Sequence, residues 1–167
     1  MTLFTPSHSD LVAVAARWLL KTNYKNGFCM GGPCPIVVTE LVTQAFEQPD
    51  ALGWHSGRTI LVEVKVSRSD FFADAKKPFR MNPEMGLGQW RWYLCPEEML
   101  KPEEMPDKWG LLWATESGRV KIKKDPEFQK SNRDAEAHIL ISVIRRQANW
   151  SPLHLDGRKV RASEVTA

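Results

Sequence analysis

What is scarce in this chain of 167 residues narrows the field first. Cysteine occurs three times. That count is odd and sparse, so it cannot close into a disulfide framework, and it fits a reducing compartment better than a stapled secreted domain. No apolar stretch approaches the length needed to span a bilayer. The first apolar run, Leu11 to Leu20, is short and contains Arg17, so it reads as a core helix and not as the apolar region of an export signal. A cytoplasmic protein with no membrane partner is the expectation. Neither sign of charge dominates: 23 Lys and Arg against 20 Asp and Glu leave a net charge of +3. Any basic face for a polyanion must therefore be local. Internal repeats and low-complexity tracts are missing. The glycines of "GFCMGGPC" are not followed by the Gly-Lys-Ser/Thr of a phosphate loop. Cys29 and Cys34 lack the second close pair of a zinc site.

What is present is ordinary for a globular protein, 43% apolar and 26% charged. The length suits one domain, taken as 1–150, followed by a polar tail over 151–167. Helical spacing predicts a helix from Asp10 to Lys21, capped by Ser7 or Ser9. Strands are predicted over Ile36–Val42, Pro49–Trp54 and Arg58–Ser67, the last with β-branched residues at alternate positions. A helix starts at Ser67 or Ser69 and runs to about Lys77, where Pro78 limits it. Further strands cover Trp90–Cys95, Trp109–Thr115 and Arg119–Lys123, one short helix is expected within Pro96–Pro106, and a last helix covers Asn132–Gln147. The order of elements implies an α/β fold, a central mixed sheet flanked by helices.

The strand Arg58–Ser67 carries the chemistry. Ile60, Val62, Val64 and Val66 point to one face; Leu61, Glu63, Lys65 and Ser67 point to the other. If Ser56-Gly57 forms a two-residue hairpin turn, His55 opposes Arg58, Leu52 opposes Leu61 and Asp50 opposes Glu63. A three-residue loop would break this register. Opposed carboxylates repel, and a divalent cation such as Mg²⁺ or Mn²⁺ between them would remove the repulsion. Glu40, expected on the apolar face of its own strand, is a third acidic candidate. A cation held by Asp50 and Glu63 could activate water against a phosphodiester, with Lys65 orienting that water or neutralising developing charge.

These residues bear a family resemblance. Pro49-Asp50, then Glu63-Val64-Lys65 on an apolar strand, resembles the PD-(D/E)xK nuclease superfamily. The stretch "RTILVEVKVSRSDFFADAKKPFR", with "WRWYLCP" and "WGLLWA" after it, looks like the MmcB-like DNA-repair group within it. The likeness covers roughly Glu40 to Ala114. Asp74-Ala75-Lys76 and Pro106-Asp107 match parts of the same short pattern, so the ordered strand context carries the assignment. The resemblance implies a restriction-endonuclease-like core and a Mg²⁺-dependent nuclease acting on DNA. It places metal on Asp50, Glu63 and the backbone carbonyl of Val64, and catalysis on Asp50, Glu63 and Lys65. Many relatives carry an acid in the first helix; here only Asp10 stands there, at its start, so the third acid is assigned to Glu40.

Arg68, Lys76, Lys77, Arg80 and Arg91 follow the site strand and are candidates to grip phosphates. Seven tryptophans are many for this length. On a strand, Trp90 and Trp92 share one face and Tyr93 takes the other, and core packing is the better reading of most of them. The oligomeric state stays open, although a homodimer would let two sites cut two strands. The alternative function is a catalytically inactive module on the same fold that binds nucleic acid or a protein.

Overall fold

The first helix begins where a reciprocal cap can form. Ser7 Oγ accepts from the Asp10 N–H at 3.2 Å, and the Asp10 carboxylate accepts from the Ser7 N–H at 2.9 Å, which satisfies donors that a helix start leaves free. This cap opens α1 (His8–Lys21) in a computed structural model that describes residues 6–21, 33–42 and 47–149. The expected tail and Cys29 lie outside those residues. Among the described residues, the strands are β1 (Ile36–Thr39), β2 (Ala51–His55), β3 (Arg58–Val64), β4 (Trp90–Pro96), β5 (Trp109–Ala114) and β6 (Val120–Lys124). The remaining helices are α2 (Arg68–Asp74), α3 (Pro78–Met81) and α4 (Arg133–Gln147), with 3₁₀ turns at Pro83–Met85 and Pro102–Glu104.

The six strands form one mixed sheet in chain order. β1, β2 and β3 are antiparallel neighbours, β4 and β5 continue parallel to β3, and β6 returns antiparallel. The protein is therefore α/β, as its pattern implies. Ser56 and Gly57 both have positive φ, 47° and 79°, the requirement of a two-residue type I′ hairpin. His55 pairs with Arg58 and Leu52 with Leu61, the expected register.

Both faces of the sheet are covered. Ile60, Val62 and Val64 join Trp90, Trp92 and Leu94 against the buried side of α1, from Leu11 to Leu19. Leu61 and Tyr93 lie on the opposite side with Phe71 of α2, Trp109 and Ile139 of α4. Trp90 and Trp92 thus share one face and Tyr93 the other. The Glu63 face is core too, so its charged residues are not a solvated strand surface.

Several boundaries differ from the sequence pattern; β2 begins at Ala51 instead of Pro49, which leaves Asp50 just outside the strand. β1 ends at Thr39, and Glu40 follows with φ of 48°, so Glu40 does not lie on a strand face. β3 ends at Val64, although the Lys65 N–H still donates to the Leu94 carbonyl at 2.9 Å, extending the parallel ladder by one bond. The predicted helix to Lys77 stops at Asp74, and Pro78 starts α3 instead of merely limiting α2, because a fixed φ and a missing N–H suit a first helical turn.

Gly88 enters β4 at φ of 79°, where a Cβ would lie 2.5 Å from Leu61 Cβ and 3.0 Å from the Leu61 nitrogen. Its N–H also donates to buried Glu136 at 2.8 Å. Gly88→Ala is expected to cost about 2–4 kcal/mol, combining left-handed strain with overpacking against backbone. Urea denaturation reads this; an unchanged midpoint would mean that the loop simply moves away.

Candidate functional site

Asp50 and Glu63 meet because β2 and β3 share the hairpin register. The last ladder pair is Ala51–Val62, and the next residues along the two chains are Asp50 and Glu63. Asp50 stands just before β2. Its Oδ2 accepts from the Val64 N–H at 2.7 Å, and its Oδ1 lies 3.3 Å from His8 Nε2 of α1. The same His8 nitrogen is 3.5 Å from Glu40 Oε1. Glu40 therefore reaches the rim of the site through His8 and not through a strand position.

Beneath this rim lies a buried ion-pair network. Lys65 Nζ is 3.3 Å from Asp74, 3.7 Å from Glu63 and 3.9 Å from Asp70. Arg80 lies 2.7 Å from Asp74 through Nε and 3.2 Å from Glu63 through Nη2, and its Nη1 pairs directly with Glu47. Tyr93 donates its hydroxyl to Asp74 at 2.7 Å, and Lys77 lies 2.6 Å from the other Asp74 oxygen. Glu47 accepts from the Leu87 N–H at 2.6 Å. Helices α2 and α3 thus return the chain from β3 with Asp74 and Arg80 aimed at the strand they have just left. Ser67 begins that return by capping α2, accepting from the Asp70 N–H at 3.2 Å.

The electrostatics single out Glu63, which is 3% exposed. Burial pushes its carboxyl up to about 8; Arg80 opposes this, while Asp50 adds to it. Its Oε1 is buried without a hydrogen-bond donor. Asp50 is also raised by burial, against the pull of the Val64 N–H and of His8. Asp74 behaves oppositely: burial works against its ionisation, but Arg80 and Lys65 outweigh it and hold the carboxyl well below the usual range. A carboxylate pair with one member short of a donor is a place for a proton or a cation.

Glu63 gives a signed pH expectation. A carboxyl raised in the folded state keeps more protons than in the unfolded chain. Its contribution to stability is complete below the unfolded value of about 4.3 and is lost as pH rises through about 8. In metal-free buffer, wild type should lose stability relative to Glu63→Gln between those limits, by at most about 1.4 kcal/mol per pH unit. Parallel denaturation profiles for the two proteins would contradict it.

Asp50, Glu63 and Lys65 are brought together, and Val64 lies between the last two with its N–H used by Asp50. The proposed phosphate contacts divide. Arg68 is exposed and pairs with Glu104, Lys76 is exposed, and Lys77 is partly exposed beside Asp74. Arg80 and Arg91 need correction. Arg80 is buried among three carboxylates. Arg91 is 0% exposed and donates to the carbonyls of Gly88, Pro83 and Lys130. Both are spent inside the protein. Sequence reasoning missed Glu47, Asp74, Tyr93 and His8 as parts of the cluster. In the sequence Asp74 stands in a competing match to the nuclease pattern, Asp74-Ala75-Lys76, with nothing that points it at Lys65. Buried Cys34 and Cys95 are thiols that burial pushes up to about 11 and about 12, which suits packing and not metal ligation.

Among the described residues, no group of three or more His, Cys, Asp or Glu side chains is arranged to hold a metal ion, and no helix is long and apolar enough to cross a membrane. No protein-family model and no curated protein matches the sequence. Among solved structures, the chain is similar to the SPO1766 protein of unknown function from Silicibacter pomeroyi. The two are 23% identical with a TM-score of 0.57, over 96% of this chain and 99% of that one. The likeness is one of fold.

Proposed function

We propose that this chain is a metal-dependent nuclease of PD-(D/E)xK type, with a restriction-endonuclease-like core, that hydrolyses DNA phosphodiester bonds in repair or processing within the cytoplasm. The observation that carries this reading is the meeting of Asp50, Glu63 and Lys65 at the end of β3, with Glu63 Oε1 buried and lacking a donor. The donors are oxygens, and Mg²⁺ is commonly held by one or two carboxylates with water and substrate phosphate completing the shell. Asp50, Glu63 and the Val64 carbonyl would hold Mg²⁺ or Mn²⁺. When bound, the cation supplies a polarised phosphoryl oxygen and a more acidic water.

The chain's own groups do the rest. Lys65, fixed by Asp74 and Glu63, brings a positive charge to the phosphate that is attacked. Asp74 and Arg80 are positioning residues for Lys65 and Glu63. Arg68, Lys76 and Lys77, on the segment leaving the site, would meet backbone phosphates. A homodimer would pair two such sites on two strands.

The test is cleavage of mixed duplex, single-stranded and branched DNA with Mg²⁺ or Mn²⁺, beside Asp50→Ala. Metal-dependent cutting that the substitution removes supports the reading; cutting that persists in Asp50→Ala sinks the site assignment. A second reading has its own observation: Glu63 and Lys65 are each only 3% exposed and already paired. That suits an inactive module that binds nucleic acid. Salt-sensitive DNA binding without cleavage would select it.

A further inference from the structure

A cavity of about 570 Å³ opens beside Arg80, lined by Pro83, Lys108, Trp109, Phe128 and Lys130 among others. We propose that it receives an unpaired nucleobase of the DNA strand whose backbone lies at the acidic site. The inference rests on the nuclease reading and names its substrate class: single-stranded or locally unpaired DNA.

The volume falls within the range of about 300–1,000 Å³ in which proteins enclose small ligands. One wall is tied down by hydrogen bonds. Lys108 offers its carbonyl to the Glu127 N–H at 3.0 Å and to the Gln129 side-chain amide at 3.3 Å, and the Gln129 N–H donates to the Gln89 carbonyl at 2.8 Å. These bonds hold the segment that carries Phe128 against Lys108 and Gln89.

Its chemistry is that of a base site. Phe128 is 53% exposed, yet its ring is braced edge-on by Trp90, with centroids 5.5 Å apart. An aromatic held rigid and left open to solvent is a stacking platform, and every base has a face to stack. The Arg80 guanidinium lies 4.8 Å from the Trp109 ring, which itself stacks on Tyr93 at 4.3 Å. Lys108 is an exposed cation for a flanking phosphate; Lys130 is exposed as well and lies 3.6 Å from Glu84 across a solvent-exposed ion pair that a phosphate can exchange. Glu84 and Asp107 also line the cavity; they repel a phosphate and accept hydrogen bonds from base N–H groups. Position completes the case. Arg80 lines the cavity and also contacts Glu63, so the base site and the acidic site share one side chain. A base stacked within a duplex cannot enter such a cavity.

The experiment uses a single-stranded DNA oligonucleotide carrying 2-aminopurine, and its duplex, titrated with the full chain in EDTA so that no cleavage occurs. Stacking should change the 2-aminopurine fluorescence with the single strand and not with the fully paired duplex. Phe128→Ala should weaken single-strand binding about tenfold and abolish the fluorescence change, while Phe128→Trp keeps both. Phe128→Ala binding as tightly as wild type overturns the proposal, as does equal binding of single strand and duplex. Free deoxyadenosine monophosphate competing as well as the oligonucleotide also overturns it, since the cavity would then serve a small molecule. The nuclease reading fails separately: binding that depends on Phe128 without any Mg²⁺- or Mn²⁺-dependent cutting keeps the base site and removes the catalysis.

Discussion

Replacing Arg80 by leucine is expected to destabilise the fold by about 3–5 kcal/mol, the usual cost of leaving buried charges without their partner. The reason is the number of carboxylates that share this one guanidinium. Glu47, Glu63 and Asp74 are all buried, and Arg80 touches each of them. Lys65 and Lys77 can still reach Asp74, but neither is paired with Glu47. Burial alone would push an arginine down; here Glu63, Glu47 and Asp74 together raise it above its ordinary value. Arg80→Lys should recover only part of the loss, because an ammonium lacks the planar fork that serves three partners. Urea unfolding monitored by tryptophan fluorescence measures both variants. An Arg80→Leu protein as stable as wild type would show that the three acids protonate or rehydrate without cost.

The second large effect falls on activity. Asp50→Ala and Lys65→Ala should each lower metal-dependent DNA cleavage by at least about 10²–10³-fold, the scale on which one preorganised electrostatic group matters. Asp50 lies at the rim, with its side chain 17% exposed, so the alanine variant should keep its fold. Lys65 is deeper, but its removal leaves Asp74 with Arg80, Lys77 and Tyr93. Circular dichroism and thermal melts on both variants separate lost chemistry from lost structure. Both variants cutting at the wild-type rate while folded would remove these residues from the reaction.

The parts of the site governed by local rules were legible in the sequence. Alternation along Arg58 to Val64 gave the two faces of β3. Ser56-Gly57 marked the turn, and the turn set the register whose last pair, Ala51–Val62, leaves Asp50 and Glu63 as the next residues on the two chains. What escaped were the groups delivered by tertiary return of the chain. Asp74 and Arg80 sit on short helices whose orientation depends on packing Phe71 under the sheet against Tyr93, 5.0 Å away ring to ring. Glu47 approaches from before β2 and carries no periodic signal. His8 was out of reach because the path of α1 across the sheet is set by Leu11, Ala15 and Leu19 packing, not by any local motif. Arg80 and Arg91 were misread for a simple reason. A basic residue after a putative acidic strand looks the same in sequence whether it points to a phosphate or to a buried carboxylate. Glu40 illustrates a boundary error with a partial recovery: the strand ends at Thr39 instead of Val42, and the left-handed turn at Glu40 still leaves its carboxylate 3.5 Å from His8.

The most direct measurement is calorimetric titration of Mn²⁺ into the full chain, with Asp50→Ala and Glu63→Gln run beside it. The expected result is saturable binding near neutral pH with proton release, since the raised Glu63 carboxyl must give up its proton to serve as a ligand, and loss of that binding in both variants. Absence of Mn²⁺ binding in wild type, or equal binding in all three proteins, would contradict a metal site at Asp50 and Glu63 and leave the cluster as a buried structural network.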